Sequence, residues 1–369
     1  MCDVAVSCAA LRSGGALTIY KQFIRHLQTR NKGIRYVLFV DPTMPKPDIP
    51  NVEYIEIDLS SFFKRVIFDF KRAKTILNSR GISPRLIISL QNTSLSCYKE
   101  LPNIIYYHQS IPFYPNKWNP FKRGELLLFF YKHFYPFFVK ASISATSDII
   151  VQIPYMKQCF VKKFHVKPSS VHVFFPDINI VRLEKHHEDN ITHSCVNLIY
   201  PAANHSYKNH IILLAALVEI KEYNPNFFNK LRLHFTIDSN RNELHRYCEK
   251  NDLIGHVCFD GQIPYDELMQ SYPSFDALVF PSTIETLGLP MIEAASFGLP
   301  VIVSDMEYAH DVLHNYPGTI YCAPYDPHSW AEAIQSISPQ KRYNPLVPSK
   351  DSSWMSFFDL VENRISKSC

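Results

Sequence analysis

The chain has 369 residues, 46% of them apolar and 20% charged. This globular balance excludes a disordered protein, a collagen-like repeat and a coiled coil, and at ~150 residues per domain the length holds about two cores. Thirty-eight basic against 34 acidic residues leave a net charge of +4, too small and too evenly spread to specify a nucleic-acid partner.

In chain order, short β-branched and aromatic runs alternate with helical patterns, the rhythm of parallel α/β sheets. The first series of expected strands is Asp3 to Ser7, Tyr36 to Val40, Val52 to Ile57, Leu86 to Ser89, Ile104 to Tyr107, Ala141 to Ala145 and Val171 to Phe174. The polar stretch Pro176 to Cys195 has no apolar period and reads as a linker. A second series follows at Val196 to Tyr200, Leu231 to Thr236, Val257 to Phe259, Ala277 to Phe280, Val301 to Ser304 and Thr319 to Cys322. A loop rich in proline and polar residues then leads to a terminal helix over 354–366. Two Rossmann-like sheets absorb both series.

Nine cysteines without a Cys-x-x-Cys pair argue against a disulfide framework and a zinc ribbon, and point to a reducing cytoplasm. The first residues lack a basic region and a long apolar run, so no secretory signal is expected. The longest apolar stretch, Leu126 to Val139, is broken by Lys132, His133 and Pro136. It is shorter than the ~20 residues of a spanning helix.

In such sheets, ligands bind beyond the carboxyl ends of the strands. Asp276 to Asp305 parses as strand, loop, helix, cap and strand, with Pro290 expected at the first helical position and Gly298 as the left-handed cap. The loop before Pro290 aims main-chain N–H groups and a positive helix end outward, which favours a diphosphate. Glu293 is expected in the first helical turn, where a carboxylate can take two hydroxyls of a ribose. Glu285, in the preceding loop, can reach a sugar ring. Gly14 and Gly15, the one pair of adjacent glycines, follow the first strand and let a backbone approach a ligand closely. Without a G-x-G-x-x-G pattern they give no support for NAD. His108 ends an apolar run and sits at a strand end. His310 and His314 lack the glutamate of an H-E-x-x-H zinc helix, and no D-x-D occurs.

The segment PSTIETLGLPMIEAASFGLPVIVSD, Pro281 to Asp305, resembles the signature of the retaining GT-B glycosyltransferases of family 4, the glycosyl transferases group 1. Gly14 to Leu27, Ile150 to Phe164 and Met306 to Leu313 resemble further segments of that family, so the resemblance covers most of the chain. It implies an α/β GT-B fold of two Rossmann-like domains facing across a cleft: residues 1–176 with the terminal helix 354–366 crossing back to them, a linker at 177–195, and a nucleotide-sugar domain at 196–348. It implies a nucleotide diphosphate sugar as donor substrate, no cofactor and no metal, and a glycan or lipid-linked glycan as acceptor.

Carried over by position, the resemblance makes Glu293 the ribose ligand, Glu285 a contact to the transferred sugar, Thr286 a donor-binding residue, and the backbone of Leu287, Gly288 and Leu289 contacts to sugar or diphosphate. It makes His108 a contact to the donor sugar or acceptor, and adds Gly14 and Gly15 to the donor site. The family's basic pair appears only as Lys208, because Ala203 stands where an arginine is expected. The implied reaction is hexose transfer, from a mannose-like or glucose- or galactose-like donor, to an O-antigen, capsule or other surface polysaccharide. A non-catalytic GT-B-shaped carbohydrate-binding subunit and a sugar-nucleotide epimerase are the alternatives. The basic and aromatic segments 61–68 and 121–140 add an anionic membrane surface as a candidate partner, with a peripheral location at its inner face.

Overall fold

The computed structural model describes residues 3–12, 14–31, 33–122, 124–178, 195–238, 243–347 and 353–367. Most of the expected linker, 179–194, and Arg123 of the basic segment lie outside the described residues. The chain divides into two compact units, Met1–Asp177 with Lys350–Cys369, and Ile178–Ser349.

The first unit is built on strands β1 Asp3–Ser7, β2 Arg35–Val40, β3 Val52–Glu56, β4 Leu86–Ser89, β5 Asn103–Tyr106, β6 Ser147–Val151 and β7 Val171–Val173. They form one sheet in the order β3-β2-β1-β4-β5-β6-β7, every pair parallel. β1, β4, β5 and β6 are buried over most of their length, which is why they read as unbroken apolar runs rather than alternating ones.

The second unit carries β8 Val196–Tyr200, β9 Leu231–Phe235, β10 Val257–Phe259, β11 Ala277–Phe280, β12 Val301–Ser304 and β13 Thr319–Cys322, in the order β10-β9-β8-β11-β12-β13 and again all parallel. Asp276, at the foot of β11, accepts from Asn197 N and Gln340 N at 2.8 and 2.7 Å and so ties the tail beyond the sheet to its centre. In each sheet the strand order reverses at the first strand of the unit, between β1 and β4 and between β8 and β11. These are the switch points at which crevices open in doubly wound folds.

The expected strand Ala141 to Ala145 is not a strand. Ala141 and Ser142 end the helix Tyr135–Ser142, and β6 runs instead through Ser147–Val151. Ile149, Ile150 and Val151 are fully buried there, whereas the Ala-Ser-Ile-Ser-Ala run offers only one large apolar side chain to a central strand. The apolar stretch from Leu126 is two short helices, Leu126–His133 and Tyr135–Ser142. No helix among the described residues is long and apolar enough to cross a membrane.

The terminal helix Ser353–Ser366 belongs to the first unit. Trp354, Phe357, Phe358, Val361 and Ile365 join the core cluster of the helix Gly14–Arg30 and strands β1, β2 and β4. The Phe358 ring stacks on Phe23 at 5.6 Å. Gln22 joins three segments: its Oε1 accepts from Asp177 N and from Trp354 Nε1, each at 2.9 Å, and its Nε2 donates to Asp177 O at 2.6 Å. Arg364 adds a two-pronged ion pair to buried Asp148 of β6.

Candidate active site

The switch point of the second unit gathers the residues that the sequence marks for chemistry. Lys208 ends a short 3₁₀ turn, Ser206–Lys208, that follows β8. Asn209, at φ 55°, stops that turn in the left-handed region and begins the helix His210–Tyr223. Tyr200 donates its hydroxyl to Lys208 O at 2.7 Å, and Asn209 Nδ2 donates to Pro324 O at 2.8 Å. The loop after β11 is fastened to the same turn, because Thr283 N and Oγ1 both donate to Tyr207 O, at 2.8 and 3.0 Å. Tyr308 adds a hydroxyl to Ser282 O at 2.6 Å. With both loops held, Lys208 Nζ forms an ion pair with Glu285 Oε1, the two side chains being 16% and 13% exposed. The ammonium also stands 5.6 Å from the centre of the Phe280 ring and 5.5 Å from that of Tyr207, which favours the cation further.

Gly288 sits beside this pair at φ 75°, a backbone region that side chains rarely tolerate. It caps the helix Leu289–Ser296. A Cβ on Gly288 would lie 3.7 Å from Glu285 Cγ and 2.5 Å from Met291 Cε. Because the glycine takes the left-handed turn, helical geometry begins at Leu289. Pro290 is therefore the second helical residue rather than the first, and Glu293 lies in the second turn rather than in the first. Leu287 is buried and Thr286 partly so. Gly298 closes the helix at φ 76°, and a Cβ there would meet Tyr343 O at 2.5 Å.

Glu293 is 4% exposed and accepts a hydrogen bond from Tyr272 Oη at 3.1 Å. Burial pushes its carboxyl up to about 7, and the Tyr272 bond offsets only part of that shift. Tyr272 arrives from a neighbouring 3₁₀ turn with no sequence motif of its own, and only its burial in the fold reveals its role. Tyr207 and Thr283 likewise carry no chemical signature. Ala203 holds no charged group, and His205, two positions on, stacks on Tyr207 with ring centres 5.5 Å apart.

In the first unit, Gly14 and Gly15 open the helix that follows β1, and a Cβ on either would meet nothing within 4 Å. His108 lies just beyond β5. Its main-chain N–H donates to Asn92 Oδ1 at 2.7 Å, and its Nε2 lies 3.1 Å from Leu90 O. A carbonyl can only accept, so Nε2 carries the proton and Nδ1 is left as an acceptor. Burial holds the imidazole down to about 4, so it is neutral across the physiological range. Gln91, which the motifs did not single out, is buried at the switch point after β4. Its Oε1 accepts from Ala10 N at 3.1 Å, while its Nε2 has no partner among the described residues.

The basic and aromatic segments form a surface of this unit. Phe62 packs edge-on against Phe130 and Phe138, each at 5.0 Å. This joins the helix Phe62–Ile67 to the two helices after Leu126 and leaves Phe63, Phe121 and Phe137 exposed at 77%, 96% and 71%. A groove of about 350 Å³ is lined by Lys132, His133, Phe137, Lys140, Lys163 and His165 among others. Lys132 and Lys140 donate there to the carbonyls of Asn116 and Phe164.

Residues 184–344 match the family described as Glycosyl transferases group 1. Over 267 residues the chain is 26% identical to the O-antigen chain mannosyltransferase RfbU of Salmonella typhimurium, covering 70% of this chain and 69% of that protein. A shorter match, 52% identical over 55 residues, links 15% of this chain to 11% of the sulfoquinovosyl transferase SQD2 of Arabidopsis thaliana. Among solved structures, sucrose-phosphate synthase from Thermosynechococcus elongatus superposes with a TM-score of 0.66 at 18% identity, covering 91% of this chain and 89% of that one. WaaG, a glycosyltransferase involved in lipopolysaccharide biosynthesis, gives 0.65 at 14% identity, covering 90% of each. Two doubly wound parallel units of this kind are the GT-B fold, and the sequence matches are to glycosyltransferases. The match to the glycosyl transferases group 1 falls within residues 184–344, and the likeness in fold extends over about nine-tenths of the chain.

Proposed function

We propose that this enzyme moves a hexose, with retention and with no metal ion taking part in the transfer, from a nucleoside diphosphate sugar to a lipid-linked or growing surface polysaccharide. The observation that carries the reading is the ion pair of Lys208 and Glu285 beside the Gly288 helix start. A donor offers a diphosphate to the first and a hydroxylated ring to the second, so its arrival exchanges an internal pair for two intermolecular ones. Similarity to the O-antigen chain mannosyltransferase RfbU supports an O-antigen type of acceptor and favours a mannose donor.

Departure of the nucleoside diphosphate leaves an oxocarbenium-like sugar and concentrates negative charge on the phosphate oxygens. Lys208 and the N–H groups at the start of the helix Leu289–Ser296 stabilise that charge, which is the role a metal would otherwise fill. Glu285, with Thr286 beside it, orients the sugar and offsets its positive charge. The leaving diphosphate takes the proton of the acceptor hydroxyl on the face from which it departs, so the new bond keeps the old configuration. Glu293 holds the ribose diol, and the backbone of Leu287, Gly288 and Leu289 meets the sugar and its diphosphate.

Gly14 and Gly15 give room for close approach on the first unit. His108 Nδ1 accepts and Gln91 Nε2 donates to sugar hydroxyls. The exposed Phe63, Phe121 and Phe137 with Lys132, Lys140 and Lys163 rest on an anionic membrane, placing the enzyme peripherally at its cytoplasmic face. Thermal shift with GDP-, UDP- and other nucleotide sugars tests the donor, since a ligand at 100 times its Kd stabilises by about 2.7 kcal/mol. Transfer to a lipid-linked acceptor, read with retention of the anomeric configuration, tests the rest. An inverted product overturns the mechanism.

A further inference from the structure

The outer edge of the second sheet holds three metal-type ligands that glycosyl transfer leaves unused. β9 and β10 pair in parallel with His234 opposite Cys258. Asp260 lies two residues beyond Cys258, and strand alternation turns the two side chains to the same face. One ligand atom from each of His234, Cys258 and Asp260 lies within 4.8 Å of the others, and His234 Nδ1 is 2.9 Å from Asp260 Oδ2.

The backbone holds this arrangement in place. Asp260 N donates to Phe235 O at 2.9 Å, and Gly261 N to Ile237 O at 3.2 Å. The Phe275 ring stands edge-on to the imidazole at 5.2 Å and bounds one side of the cluster. The side chains of His234 and Asp260 remain 23% and 30% exposed, so an ion can enter from solvent. A second carboxylate, that of Asp238, stands at the rim, with Oδ1 3.5 Å from where a Cβ on Gly261 would lie. Arg232 is the opposing charge on β9, and its guanidinium is engaged by Leu231 O at 2.8 Å and by His256 Nδ1 at 3.1 Å.

We propose that His234, Cys258 and Asp260 bind one divalent transition-metal ion of the zinc class, through three protein ligands and one water. A neutral imidazole, a thiolate and a carboxylate together neutralise a 2+ ion, and the nitrogen–sulfur–oxygen set selects against calcium and magnesium. On binding, the Cys258 thiol releases its proton to solvent as the sulfur–metal bond forms. The His234–Asp260 hydrogen bond opens, the imidazole proton resides on Nε2, and Nδ1 and the carboxylate turn to the ion. The ion then clips the edge strand β10 to β9, just ahead of the Asp260–Pro264 loop. Lys208 and Glu285 follow β8 and β11 instead, so this site stands or falls independently of the transfer chemistry.

The test uses the full chain, freed of metal with a chelator that is then removed, and Co²⁺ as the probe. One equivalent of Co²⁺ should produce a thiolate-to-cobalt charge-transfer band that Zn²⁺ bleaches. Cys258→Ser should abolish the band, and His234→Gln should weaken Co²⁺ binding at least about tenfold. Zn²⁺ should raise the melting temperature of the wild type and leave that of Cys258→Ser where it was. Should Cys258→Ser fail to fold, His234→Gln carries the same comparison. Absence of the band in the wild type, or its persistence at full strength in either variant, overturns the proposal.

Discussion

In the second unit Lys208 turns inward to Glu285 and stands over two aromatic rings. In the first unit Lys132 also stands over two rings, Tyr114 and Trp118, but it and Lys140 donate to main-chain carbonyls at the rim of an open groove, beside an exposed Phe137, and neither has a carboxylate partner among the described residues. Burial, together with the like charges of Lys163 and Lys117, lowers the proton affinity of Lys132. A cation already neutralised by a carboxylate suits a small ligand that can exchange partners with both members of the pair. A face of cations that repel one another suits an extended anionic surface, which relieves all of them together. On the proposed reading, charge in this chain acts as a local device in one unit and as a collective one in the other.

The largest expected effect breaks the inward pair. Lys208→Ala and Glu285→Ala should each lower kcat at saturating donor by on the order of 10²-fold or more, measured as release of nucleoside diphosphate in the presence of acceptor. Near-wild-type turnover in both would remove the pair from the mechanism.

Next comes Glu293. Its folded carboxyl titrates near 7, above the ordinary value of 4.5, so the folded state binds its proton more tightly than the unfolded chain does. Ionising it costs stability progressively from about pH 4.5 to 7, and fully above that. Glu293→Gln should match the wild type near pH 4 and exceed it by about 1–3 kcal/mol at pH 8 in denaturant melts. The same variant should bind donor more weakly at pH 8. In the wild type, donor KM should rise as pH falls below 7, because the protonated carboxyl accepts hydroxyls poorly. A stability gap that does not change with pH would contradict the burial argument.

The smallest effect per residue is collective. Replacing Lys132, Lys140 and Lys163 by Gln should weaken co-sedimentation with anionic vesicles by about 1 kcal/mol each, with little change on neutral vesicles. Equal binding to both vesicle types would leave the basic face without its electrostatic role.

Much of this was legible in the sequence because local chemistry and fold demanded the same residues. Asp276 to Asp305 reads as strand, loop, helix, cap and strand, and Gly288 and Gly298 occupy left-handed positions that nearly any other residue would strain. Lys208 is marked only by the resemblance, as the remaining member of the family's basic pair. The errors arose where pattern competes with tertiary context. Ala141 to Ala145 is apolar enough to suggest a strand, yet the sheet takes the denser run at Ile149–Val151, six residues later. The turn that holds Glu293 depends on one φ angle at Gly288, which composition does not reveal. Tyr272 and Gln91 escaped altogether, for a buried tyrosine or glutamine looks like any other until its partners are placed around it.

The terminal helix carries a consequence for how the molecule is made. Its Trp354, Phe357 and Phe358 complete an interior whose other walls lie between Val4 and Ile150. A ribosome therefore finishes the second unit before it can seal the first, which waits with Phe23 and Tyr106 uncovered until the tail emerges. Chains truncated at Ser349 and released should accordingly expose sticky surface and recruit chaperones, while the second unit is already protease-resistant.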